Sequence, residues 1–265
     1  MCSSIRRAIC AGALLSLFPA ANFAATTVVP NAQAAALGNG QDNDTRLFSR
    51  SGDTDGNRYQ QIYDAGQFAS FGATEQINRL AFRAKQNGGL FPGVFGPTVT
   101  VSNIQIRLST TARASSIDGA NFISNVFADN IGPDLTTVYS GTLTLTTPTA
   151  GTTDFGYVIN LQTPFAYSKA TGNLLLDVLI PAGATTTESG FSGYSRPDTQ
   201  TGDALGANAN DGVASAFGAT AGATIGANST TGLVTQFATV PEPTSIGAIA
   251  IASMAAVRRT RRRKS

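Results

Sequence analysis

From Phe155 to Leu161 the chain sets bulky apolar residues against small or polar ones at a strict period of two. Phe155, Tyr157, Ile159 and Leu161 alternate with Gly156, Val158 and Asn160. Successive side chains of a β-strand point to opposite faces, so this spacing suits a half-buried strand and not a helix. The rhythm returns at Ile104, Ile106 and Leu108, separated by Gln105 and Arg107. Val99 and Val101 precede them in the opposite phase, which predicts a bulge or strand break near Ser102. Tyr139, Leu143 and Leu145 read as one face of a further strand, with Val138, Thr142 and Thr144 on the other. Leu174 to Ile180 is nearly all apolar, as a central strand covered on both faces would be. Leu233, Thr235 and Phe237 read as a last strand.

Turn signals separate these runs: Asn87-Gly88-Gly89, Gly96-Pro97, Gly132-Pro133, Thr147-Pro148 and Gly172-Asn173. Only Ala114 to Asn130 has the mixed spacing of an interrupted helix. Ala182 to Thr231 is rich in Gly, Ala, Ser, Thr and Asn, and predicts loops with one or two thin strands around Val213, Phe217 and Ile225. Many short strands joined by Gly and Pro turns predict an all-β fold, an antiparallel β-sandwich of jelly-roll-like type.

Both ends differ from this body. Arg6 and Arg7 precede a short apolar run, Ala8 to Ala20, and small-residue cleavage patterns come after it. That is the layout of a secretory signal. Ala32-Gln33-Ala34 is the best A-x-A match and Ala24 an earlier option, so residues 1–34 are expected to be a signal peptide. Residues 35–57 are expected to be a polar, flexible lead-in and residues 58–239 the sandwich domain. Residues 240–265 carry a Pro-Glu-Pro triplet (Pro241, Glu242, Pro243), an apolar stretch from Ser245 to Val257, and a basic cluster. That cluster is Arg258, Arg259, Arg261, Arg262, Arg263 and Lys264. Proline biases the residue before it to extended geometry, which suits entry into a processing cleft. The apolar stretch can enter lipid as a short membrane helix, and the cations resist translocation and stay cytoplasmic. At ~1.5 Å per residue the stretch spans about 20 Å of a ~30 Å hydrocarbon core, so the expected anchor is temporary.

The order of triplet, apolar stretch and arginines resembles the PEP-CTERM sorting signal of exported bacterial proteins. The resemblance implies that Pro241, Glu242 and Pro243 are recognised by an exosortase, a membrane processing enzyme that removes or exchanges the tail beyond the triplet. It implies a secretion translocon and the membrane as further partners, and a final place at the cell surface or outside the cell. Arg58 to Phe68, Val138 to Leu145 and Asn173 to Val178 also resemble the bodies of such proteins, which carry no activity that transfers.

Removing both ends changes what composition says. The chain holds 18 basic and 16 acidic residues. Between Ala35 and Thr239 the count is 10 basic against 15 acidic, a net charge of about −5. No basic face remains for nucleic acid. Both cysteines, Cys2 and Cys10, fall in the leader, and His and Trp are absent altogether. Ser-His-Asp and Cys-His nucleophile systems are therefore excluded, as are metal sites built on His or Cys.

What chemistry remains belongs to carboxylates, hydroxyls, Lys and Arg. Asp53, Asp55 and Asn57 place oxygens at alternate positions, as a calcium loop begins, but lack its distal Glu. An Asx turn explains the same residues. No cofactor is otherwise expected. Asp118, Asp129, Asp134, Asp154, Asp177 and Glu188 are the acids from which a glycosidase pair would be drawn. Asp177, inside an apolar strand, needs a partner such as Arg79, Arg83 or Arg107. Phe68, Phe71, Tyr157, Phe165 and Tyr167 are either core or a sugar-stacking platform. The expectation is an exported, non-enzymatic cell-surface or extracellular-matrix component. A module binding an extracellular polysaccharide is the alternative, and an enzyme using two carboxylates comes third.

Overall fold

Alternating and all-apolar runs both become strand where turn residues bound them. The computed structural model describes residues 25–40, 54–85, 98–146, 152–188, 197–202 and 211–240. These form β1 (Thr26–Val29), β2 (Asn57–Tyr63), β3 (Glu75–Phe82), β4 (Thr98–Thr111) and β5 (Thr136–Thr146). Next come β6 (Tyr157–Tyr167), β7 (Asn173–Ile180), β8 (Thr186–Glu188), β9 (Thr199–Thr201) and β10 (Val213–Gly218). The last are β11 (Ala227–Ser229), β12 (Thr231–Leu233) and β13 (Thr235–Val240). One sheet has the order β1-β13-β3-β6, and a larger one runs β11-β10-β2-β7-β4-β5 with β8 paired to β4. β9 and β12 make a separate ribbon. Every pairing between these strands is antiparallel. The fold is all-β, as the alternation predicts, and no helix among the described residues is long and apolar enough to cross a membrane.

One core joins the two sheets, in the manner of a sandwich. Ile77, Leu80, Phe82, Tyr157, Ile159 and Phe237 of the smaller sheet meet Tyr59, Tyr63, Leu108, Leu174, Leu176 and Val178 of the larger. The rings of Tyr63 and Phe237 meet edge to face at 4.9 Å, a geometry that contributes about 0.5–1.5 kcal/mol beyond area burial. The Tyr63 hydroxyl reaches Thr235 Oγ1 at 2.8 Å, so the polar tip is satisfied where the ring is buried. At one open side the Gln162 side chain takes both backbone groups of Ser140, accepting from its N–H at 3.0 Å and donating to its carbonyl at 3.1 Å. This links β6 to β5 across the sheets and blunts two edge strands.

Several expectations hold in detail. The register of β4 on β5 shifts between Val101 and Ile104, and Ser102 and Asn103 both stand exposed at the predicted bulge. β7 is central and covered on both faces, with Leu175 in a second small core on the outer side.

Others are corrected. Val138 faces the core with Leu143 and Leu145, because a second register shift opposite Ile106 and Arg107 reverses the phase of β5. Ala114 to Asn130 is not helical. It is a looped excursion ending in a 3-10 turn, Phe127–Asn130, whose Ile123 and Phe127 cover Ile62, Leu175, Ala214 and Ala216. Ala182 to Thr231 supplies β8 to β11 and the first residue of β12, more strand than expected, because β8 and β10 take their hydrogen bonds from β4 and β2 of the larger sheet, β11 from β10, and β9 from β12. The Leu233–Phe237 run divides between β12 and β13, which belong to different sheets.

The largest difference is at the start. The expected boundaries put residues 26–34 in a leader and 35–57 in a flexible lead-in. Instead β1 pairs with β13 from Thr26 to Val29, and Val29 is fully buried. A short strand preceded by small residues reads like the end of a signal, so only its partner strand reveals it. Residues 38–40 are held too, with the Gly40 N–H donating to the Thr199 carbonyl at 2.8 Å.

Candidate functional site

The outer face of the larger sheet carries a cluster of three charged side chains, Arg58, Arg107 and Asp177. Along β7, Leu174, Leu176, Val178 and Ile180 fill the main core, so Leu175 and Asp177 point the other way. Register brings Gln60 of β2 and Arg107 of β4 to either side of Asp177, and Arg58 stands diagonally across from it. Arg58 Nε and Nη2 donate to Asp177 Oδ1 and Oδ2 at 3.2 and 3.1 Å. Arg107 Nη2 donates to Oδ2 at 2.6 Å. The carboxylate is 0% exposed, while the two arginine side chains keep 17% and 19% of their surface.

An isolated carboxylate at this depth would be costly, and a two-sided guanidinium clamp removes that cost. The clamp is held in turn from the excursion. The Arg58 guanidinium lies 4.9 Å from the Phe127 ring centroid, and Gln60 Nε2 donates to the Phe127 carbonyl at 3.1 Å. Asn130 Nδ2 donates back to Gln60 Oε1 at 2.9 Å, closing a buried polar chain. One donor is left over: Arg107 Nε is buried with no acceptor among the described residues. Such a group costs about 1–3 kcal/mol.

Of the arginines expected to partner Asp177, then, Arg107 does so. Arg79 and Arg83 do not, because they lie on β3 and just beyond it, and β3 belongs to the other sheet. Arg58 is the partner the sequence did not reveal. Its signal was its place in the Arg58-Gln60-Ile62 phase of β2, which acquires meaning only with the register.

Arg83 anchors a second cluster. Fully buried, it donates through Nε to Asp198 Oδ2 at 2.7 Å, through Nη1 to the Gln33 carbonyl at 2.9 Å, and through Nη2 to the Ala36 carbonyl. Asp198 Oδ2 also accepts the Gly38 N–H at 2.9 Å. This cluster fastens the 31–40 segment to the β9 side of the fold, a structural task.

The remaining acids are dispersed. Asp129 pairs with Arg113 at 3.6 Å, Asp134 Oδ1 accepts the Thr110 N–H at 2.7 Å, and Glu188 sits in β8 opposite Val99. Asp118 lies on a bend within the Ala114 to Asn130 excursion, and Asp154 in the loop before β6. Asp177, fully buried, is committed to two guanidiniums. Burial pushes the Asp211 carboxyl up to about 7, against the Val213 N–H that stabilises its charged form.

Phe68, Phe71, Tyr157, Phe165 and Tyr167 all lie in the main core, so they form no sugar-stacking platform. Of the calcium candidates, Asp53 lies outside the described residues. Asp55 is exposed on a turn, and Asn57 is buried at the start of β2 opposite Ile180. Among the described residues no group of three or more acidic, His or Cys side chains is gathered as a metal site. Pro241, Glu242, Pro243, Arg258, Arg259, Arg261, Arg262, Arg263 and Lys264 lie outside the described residues. β13 runs to Val240, the residue before the triplet.

The chain is similar enough to no protein-family model, no curated protein and no solved structure to give a match.

Proposed function

We propose that this chain is an exported, non-enzymatic component of the cell surface or extracellular matrix, delivered by a C-terminal PEP-CTERM-like signal. The observation that carries the reading is the order of its parts. The Pro-Glu-Pro triplet is succeeded by a short apolar stretch and then by six cations within residues 258–264. Each part has a physical role at a membrane, and the order is the one that presents the triplet outside while the cations stay inside.

The fold is compatible with processing there. Val240 is the last residue of β13 and leads straight into Pro241. An exosortase cutting at the triplet would spare every strand of both sheets. On the other side, β1 begins at Thr26, two residues beyond Ala24. Signal cleavage after Ala24 therefore spares the sheet, whereas cleavage after Ala34 removes β1 and the Gln33 carbonyl that Arg83 uses. The earlier site is the one we favour.

The finer architecture belongs to the same reading. The orders β1-β13-β3-β6 and β2-β7-β4-β5 support a jelly-roll-like sandwich, with β8 to β12 as an insertion before the last strand. In support of a non-catalytic role, the body has no His or Cys, and its fully buried acids Asp177 and Asp198 are both paired with guanidiniums. A polysaccharide-binding role finds support in one observation only, the excess of guanidinium over carboxylate around Asp177.

Replacing Pro241, Glu242 and Pro243 together by alanine tests the sorting step. The variant should be exported but keep its cationic tail and stay with the membrane fraction. A variant that reaches the surface or medium at the size of the wild type overturns the reading.

A further inference from the structure

Charge balance around Asp177 needs one guanidinium, and Arg58 supplies it in bidentate form; Arg107 is a second. We propose that Arg58 and Arg107 form a binding subsite for a carboxylate on the outer face of the larger sheet. A free organic acid and a uronate sugar share that chemistry. The subsite goes beyond the sorting role and does not depend on it.

Three features carry the inference. Each guanidinium offers about five N–H donors, and Asp177 accepts three hydrogen bonds from the pair. The rest have no acceptor among the described residues, and one of them, Arg107 Nε–H, is buried. Arg107 Nε–H itself is closed to solvent, so a guest oxygen is taken by the solvent-facing N–H groups of the pair, in place of water. Next, the clamp is already ordered: Asp177 fixes both head groups and Phe127 lies against Arg58. A ligand therefore meets a planar fork whose ordering is complete before it arrives. Last, the side chains keep 17% and 19% of their surface, so the surplus positive charge is reachable from solvent. The exposed Thr137 hydroxyl and half-buried Gln105 on the same outer face can meet hydroxyls beside the carboxylate.

The body as a whole is negative, at about −5 between Ala35 and Thr239. Long-range attraction therefore does not draw anions in, and recognition has to come from contact within about one Debye length, ~8 Å at physiological salt.

The test uses the full chain with its arginine side chains labelled for NMR. Sodium acetate, sodium glucuronate, a galacturonate trimer and neutral glucose are titrated at constant ionic strength. The Arg58 and Arg107 Nε–H signals should shift saturably with the three carboxylates and not with glucose. Tighter binding of the trimer than of glucuronate identifies a polymer as the source, and equal binding identifies a free acid. Arg107→Gln should weaken acetate binding, followed at Arg58, by at least ~10-fold, or about 1.4 kcal/mol. Arg107→Lys should weaken it too, because it keeps the charge and loses the fork. Arg113→Gln should change nothing. Shifts that fail to saturate, or a folded Arg107 variant that binds as the wild type does, overturn the proposal.

Discussion

Asp177 interrupts a strand otherwise made of Asn, Leu, Val and Ile, and its charge is what two arginines from neighbouring strands hold in common. Asp177→Asn keeps the shape and leaves two guanidiniums facing each other. Removing one partner of a buried pair typically costs 3–5 kcal/mol. The partial exposure of both arginines discounts this, and urea unfolding should show a loss of about 2–3 kcal/mol. Asp211 behaves in the opposite sense. Its carboxyl is pushed by burial from 3.8 in the free side chain to about 7. Between these values the folded chain keeps a proton that the unfolded chain has lost, so stability falls as pH rises and levels off above about 7. Asp211→Asn should match the wild type at pH 3 and unfold at higher temperature at pH 8, with a gain of about 1–2 kcal/mol after screening. Thermal melts across that range check both the sign and the plateau.

β1 shows how much an element depends on what it meets. A chain beginning at Ala35 lacks the edge strand of the smaller sheet, exposes the flank of β13 and deprives Arg83 of the Gln33 carbonyl. Burial of Val29 alone accounts for about 1.5–3 kcal/mol, so this truncation should unfold at least ~3 kcal/mol more easily than a chain beginning at Ala25. At the entry to β2, Gly56 has φ +69°, and an added Cβ would stand 2.1 Å from the Ile180 carbonyl oxygen. Gly56→Ala should cost about 1–3 kcal/mol, measurable in the same unfolding assay. Strands whose own residues alternate, such as β4 and β6, were legible in the sequence, bulge near Ser102 included. Those stabilised by partners were not. β1, β9 and β11 are three or four residues long and rich in small or polar side chains, and β1 and β9 take their hydrogen bonds from strands far away in sequence. The inward facing of Val138 was hidden for a related reason, since a register shift reverses facing without changing composition. The site obeyed the same rule: the need of Asp177 for an arginine was evident from burial, but Arg58 became its partner only through the pairing of β2 with β7.

At the scale of the whole molecule, the β domain is flanked in sequence by two segments whose composition suits handling at a membrane. Its charge is reversed once they are gone, from +2 for the full chain to about −5 between Ala35 and Thr239. Without a thiol or an imidazole, the stability of the body depends neither on a disulfide nor on a metal held by Cys or His. Trimming at Ala24 and at the triplet would leave both sheets whole, because β1 and β13 are neighbours and the two cuts fall just outside them. Intact-mass spectrometry of the protein recovered from the cell surface and from the medium tests this directly. The expected species begins at Ala25 and has lost Arg258 to Lys264. A surface form that begins at Ala35, or one that still carries the arginine cluster, would contradict it.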